Sequence, residues 1–153
     1  METPPCYKSS AEIAEIVRKF EACEYGKQEF YHSMHLVVAA WYLANFQPEV
    51  ALDRMRSALL RFTRHHGVTA YHETITRFWL LLVQNFLQTT LQQTPLHAKV
   101  NELTRVFKDK NLLFEYYDRE LVMSDEARHT WIEPNRKALT ASLIAPTPQQ
   151  IQR

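Results

Sequence analysis

Glycine is almost missing from this chain. Gly26 and Gly67 are the only two in 153 residues, which leaves little material for hairpin turns, bulges or a phosphate-cradling loop. A sheet-rich fold is therefore disfavoured from the outset. Cysteine is as scarce: Cys6 and Cys23 stand alone, too few for a disulfide framework, so reduced thiols are expected, with Cys23 a small packing residue. Neither sign of charge dominates. Eighteen basic against 17 acidic residues give a formal net charge of +1, no field to steer the chain toward nucleic acid or anionic lipid. No apolar run approaches the roughly 18 residues of a membrane span, and the block Phe78 to Val83 falls far short of it. There is no Gly-x-Ser-x-Gly elbow and no Cys-x-x-Cys pair. The expectation is a cytoplasmic protein that engages neither nucleic acid nor membrane.

What the chain does have is helical patterning. Hydrophobic residues at 46% and charged residues at 23% are ordinary for one globular domain. Ser9-Ser10-Ala11-Glu12 reads as a capping box, opening a first helix that ends near Tyr25-Gly26. A second runs from Lys27 to Phe46 and is apolar almost all round, the mark of a central helix. A third follows over Glu49 to His66, with Pro48 in its first turn and Gly67 as a left-handed cap. Thr69 is placed to cap a fourth, also apolar nearly all round, reaching about Leu91. Pro95 opens a fifth. Leu112 to Tyr117 reads as a helical turn, and Ser124 caps a brief last helix. The expected fold is all-α: an up-and-down bundle of four main helices with a short helical C-terminal cap. Its domain is 9–132, after a flexible arm 1–8 and before a largely irregular tail 133–153. Arg54, Arg56, Arg61, Arg64 and His65 form a basic run that reads as a solvated helix face.

Two short segments carry chemistry: Phe30-Tyr31-His32-Ser33-Met34-His35 and Tyr71-His72-Glu73-Thr74-Ile75-Thr76. Each places imidazole near the start of an apolar helix, where it is costly to bury without a partner. In an up-and-down bundle the second and fourth helices start at the same end, where the third finishes. Five of the seven histidines, including His65 and His66, then gather there. His32 and His35 share a helical face. Together with His72, and with Glu29 or Glu73 as oxygen donor, they make a candidate site for zinc, iron or copper with an open position for water. Such a metal can polarise a carbonyl or acidify water. Glu73 is the candidate general base, and Tyr31, Tyr42 or Tyr71 the candidate phenol. Glu29-x-x-His32 is reminiscent of di-iron bundles, but Glu73-x-x-Thr76 lacks the second histidine. His65 and His66 suit a helix C-terminus on charge grounds. His97 and His129 read as surface residues, Trp41 and Trp79 as core.

In combination, these motifs resemble those of a family of small, largely uncharacterised bacterial proteins. The matching residues are Phe30, His32, His35, Ala39, Tyr42 and Leu43, then Arg61, Phe62 and Gly67. Tyr71 to Thr76, Tyr116-Tyr117 and Ser124 to Arg128 follow. The resemblance spans about residues 28–136 and departs at Tyr31, where the family has a histidine. It implies a compact helical bacterial protein and leaves activity open.

Two classes of function follow from the residues. The first is a metal-binding protein, possibly an enzyme on an unidentified small molecule, with His32, His35, His72 and Glu29 as ligands, Glu73 and Tyr71 as catalytic groups, and a cap around Tyr116, Tyr117 and Trp131 closing over that end. The second is an apolar-ligand or partner-binding module whose histidines form a structural hydrogen-bond network. Metal-free acid-base chemistry at His72 and Glu73 is a third option. The aromatic content leaves room for a homodimer face.

Overall fold

The computed structural model describes residues 5–139. Among them the fold is wholly helical: α1 (Ser10–Glu21), α2 (His32–Asn45), α3 (Pro48–His65), α4 (Glu73–Gln88), α5 (Leu96–Val106), a 3-10 turn (Lys110–Leu112), α6 (Leu113–Tyr116), α7 (Arg119–Val122) and α8 (Asp125–His129). The last stretch of the expected tail and the first residues of the expected arm lie outside the described residues.

Local chemistry sets most boundaries. Ser9 and Glu12 form the reciprocal capping box of α1, and Ser124 accepts from the Ala127 amide to start α8. Gly67, at φ +68°, closes α3 in the left-handed region, with the Val68 amide donating back to Thr63. The end of α1 differs from expectation. The helix stops at Glu21, and the left-handed residue is Cys23 at φ +58°, not Gly26. The Glu24 amide then reaches back to the Lys19 carbonyl at 2.8 Å, the bond that defines such a closure.

The entries to α2 and α4 also lie later than the pattern suggests. Residues 22–31 form a connection of turns, so α2 starts at His32 rather than Lys27. In α4 the cap is His72 rather than Thr69: its Nδ1 accepts from the Ile75 amide at 3.1 Å. Histidine is an uncommon cap, which is why composition pointed to the nearby threonine.

Helix α2 is the hub. It packs against α1, α3, α4 and α5, and Leu36, Val37, Val38 and Ala40 are wholly enclosed. An all-round apolar sequence therefore does mark the centre here. Helix α5 belongs to the same body, touching α1, α2 and α4, with Val100 and Leu103 buried. Each such side chain contributes about 1.5–3 kcal/mol by leaving water.

The C-terminal segment is laced onto α4. Tyr116 and Tyr117 pack edge-on against Phe78, and the Tyr117 hydroxyl donates to the Ile132 carbonyl. The Thr74 hydroxyl donates to Thr130 O at 2.7 Å. Residues 133–139 continue this strap through Arg136 N–H to the Tyr116 carbonyl. At the other end, Tyr7 exchanges two hydrogen bonds with the Asn101 side chain, so the arm drapes on α5. Cys6 and Cys23 are free thiols.

Candidate functional site

The two histidine segments meet at one cavity of about 820 Å³. The beginning of α2 supplies His32, His35 and Ala39, and the end of α3 supplies Leu59, Phe62 and Thr63. Tyr71, His72, Ile75, Thr76 and Trp79 come from the start of α4 and the residue pair before it. The C-terminal segment closes it with Leu113, Phe114, Arg119 and Met123. The floor is apolar and buried, with Phe30, Leu59, Phe62 and Leu80 among its residues. Phe30 lies parallel to Phe20 at 4.2 Å and tilted against Phe62 at 5.3 Å, an aromatic base that fixes the connection before α2.

Each histidine in the cavity wall is tied to a backbone carbonyl. His32 donates from Nε2 to Phe107 O at 2.8 Å and packs edge-on against Trp79, joining α2 to the residue that follows α5. His72 donates from Nε2 to Val122 O at 2.6 Å while Nδ1 accepts the Ile75 amide. Both of its nitrogens are thus engaged, in the neutral form. Burial lowers its pKa, in keeping with that tautomer.

His35 is different. Its Nδ1 donates to the Tyr31 carbonyl at 3.1 Å, because a carbonyl can only accept. Nε2 is left as a lone pair with no hydrogen-bond partner among the described residues, on a ring that rests against Phe30 at 4.5 Å and lines the cavity. Burial pushes this imidazole down to about 4, so it is neutral at physiological pH and its Nε2 can only accept.

The remaining predicted site residues point elsewhere. Glu29 is exposed in the connection before α2 and accepts from the Gly26 amide. It lies outside any helix and does not line the cavity, so the helical face expected for Glu29-x-x-His32 does not form. Glu73 is buried on the far side of Tyr71, in a second hollow that also holds Arg64, Arg128 and His129. Arg56 grips its two oxygens at 3.0 and 2.6 Å, and the Tyr71 hydroxyl donates to Oε1 at 2.6 Å. Burial alone would raise this carboxyl, but the Arg56 and Tyr71 hydrogen bonds outweigh it and hold the pKa below the ordinary 4.5. A carboxylate so stabilised is a weak proton acceptor. The Tyr71 phenol is raised by burial and by that same carboxylate, and so stays protonated.

Tyr31 and Tyr71 line the cavity, whereas Tyr42 is enclosed and donates to Glu21 at 2.5 Å. Tyr116, Tyr117 and Trp131 do not line it. His66 donates to the Tyr25 carbonyl at 3.0 Å. His97 is half-buried rather than exposed, and its Nδ1 is enclosed without a hydrogen bond among the described residues.

These positions decide the fit of a metal. Among the described residues no group of three or more His, Cys, Asp or Glu side chains is arranged to hold one. His72 has no lone pair to spare without losing its cap, and Glu73 has its oxygens in the Arg56 grip. The ligand set does not fit a metal centre in this geometry. The residues that sequence reasoning missed are Leu113, Phe114, Arg119 and Met123. Their only signal was the aromatic and apolar clustering after Asn111.

Compared with known proteins, the chain matches no family model, no curated protein and no solved structure. The resemblance drawn from the histidine motifs rests on those motifs alone.

Proposed function

We propose that this protein binds a small molecule with an apolar body in the cavity between α2, α3, α4 and the α6–α7 segment, and that its histidines are structural members of that cavity. The observation that carries the reading is the pairing of the imidazoles with backbone carbonyls around an apolar space. His32 Nε2 and both nitrogens of His72 serve as ties. A hollow of this size, lined mainly by hydrophobic and aromatic side chains with few polar groups, has the character of a ligand pocket. His35 Nε2 supplies the directional element, an acceptor for a hydroxyl or N–H on the ligand. The reading takes α1 to α4 as an up-and-down set, since the start of α2, the end of α3 and the start of α4 all contribute to one wall.

The test is titration with N-phenyl-1-naphthylamine, a neutral fluorophore that brightens in apolar surroundings, against the native chain and Ile75→Trp. Ile75 is half-buried in the cavity wall, so the larger ring fills space there. Saturable binding to the native chain, weakened at least tenfold in a variant with unchanged circular dichroism, supports the reading. Binding that is undetectable in the native chain, or equal in both, overturns it.

A further inference from the structure

The charge around the cavity has one sign. Lys27, Lys110 and Arg119 line it, and no aspartate or glutamate does. That bias is local, because over the whole chain 17 acidic residues nearly balance 18 basic ones. The three cations come from three separate places: the connection before α2, the 3-10 turn, and the first residue of α7. All three are exposed, as are Tyr31 and Met123, so the basic groups sit where the cavity opens and the apolar residues lie deeper.

None of the three forms an ion pair among the described residues, and three carboxylates near them in sequence are engaged elsewhere. Glu29 accepts from the Gly26 amide. Asp109 caps the 3-10 turn through the Asn111 amide. Asp118 accepts from the Asn135 side chain and faces Arg136 at 3.8 Å. The Arg119 guanidinium is laid over the Phe114 ring at 4.0 Å, which holds it against the cavity wall. The second hollow differs in holding a carboxylate: Glu73 pairs with Arg56 there, beside Arg64 and Arg128.

We infer that the ligand is an amphipathic carboxylate, its apolar body in the cavity and its acid group at the mouth among Lys27, Lys110 and Arg119. This rests on the cavity being a ligand site, as proposed above, and adds the class of ligand. An apolar floor sets no preference between an acid, an alcohol and an amine of equal chain length. A mouth with three unpaired cations and no carboxylate does, by attraction toward an anion and repulsion of an ammonium.

Dodecanoate, dodecan-1-ol and dodecylammonium, each below its micelle concentration, would be used to displace N-phenyl-1-naphthylamine from the full chain. Dodecanoate should bind at least tenfold tighter than the alcohol, and the ammonium weakest. In 1 M salt the acid's advantage should shrink toward unity, because exposed charges are screened there. The triple variant Lys27→Gln, Lys110→Gln, Arg119→Gln should also lose it. Equal affinities for acid and alcohol in low salt, or tighter binding of the ammonium, would overturn the inference and leave the cavity reading intact. Absence of any fluorophore binding would instead sink the cavity reading, and this inference with it. Should the triple variant fail to fold, the salt series on the native chain decides the matter.

Discussion

The chain makes the same move twice and obtains different results. In each case a helix is closed by a left-handed residue, Cys23 after α1 and Gly67 after α3. A non-helical connection then delivers an aromatic residue and a histidine to the start of an apolar helix. At α4 the imidazole becomes the helix cap, and the following carboxylate turns away into the Arg56 grip. At α2 the first imidazole is tied across to the carbonyl after α5, and the second, His35, lines the cavity with only its Nδ1 claimed by the backbone. Identical residue types at a helix start thus do different work according to which of their nitrogens the backbone claims. The α4 start is a joint, and the α2 start is a joint plus a polar handle.

The largest effect that separates them is in the pH dependence of stability. With a folded pKa of about 4, His35 resists a proton that the unfolded chain accepts near the ordinary value of 6.5. Above 6.5 both states are neutral and the contribution is level. As pH falls from 6.5 to 4 the unfolded state gains protons first, so stability falls by at most about 3 kcal/mol. His72, also lowered, adds in the same direction. Urea denaturation of His35→Gln between pH 7 and 4 should show a much flatter slope than the native chain. An unaltered slope would place the acid sensitivity elsewhere.

Next comes the joint's own electrostatics. Glu73 is depressed rather than raised, so its stabilisation is fully present above about 4.5 and lost as pH falls through its lower folded value. That window lies below the one that His35 governs. Glu73→Gln removes the charge from a bidentate contact and leaves Arg56, whose pKa Glu73 raises, with the exposed Asp53 as its carboxylate partner. The expected cost at pH 7 is about 1.5–3 kcal/mol, the usual range for hydrogen bonds to charged groups, read as a lower denaturation midpoint at unchanged slope. If Glu73→Gln were instead neutral for stability, the carboxylate would be free for other work and the α4 start would not be a joint.

Much of the fold was legible because its signals are local. The Ser9–Glu12 box, Pro48, Gly67 and the Ser124 cap act within one helical turn of themselves, so sequence spacing alone places them. The all-round apolar run of α2 likewise has one sensible location. What spacing did not disclose depends on distant partners. His72 as a cap is recognisable only once Val122 is seen to hold its other nitrogen, fifty residues along the chain. Arg56 belongs to a run that reads as solvated surface, and only the return of the chain at Glu73 turns it inward. His32, His35 and His72 line one cavity, but the orientation of their rings is not readable from spacing. Orientation, and not proximity, is what separates a ligand set from three hydrogen-bonded walls.

The smallest of these effects bears on that distinction directly. His72 performs two tasks, accepting from the Ile75 amide and donating to Val122 O. Asparagine is a good N-cap and can take over the first, whereas its shorter reach will not keep the second. His72→Ala loses both and should cost about 1.5–2 kcal/mol, with His72→Asn costing about half as much. If His72 served mainly as a metal ligand, the two variants would be equally impaired and added zinc would raise the midpoint of the native chain alone. If it serves as a joint, the asparagine chain recovers part of the loss and zinc leaves all three midpoints where they were. Thermal unfolding of the native chain and the two variants, with and without zinc, reads the difference.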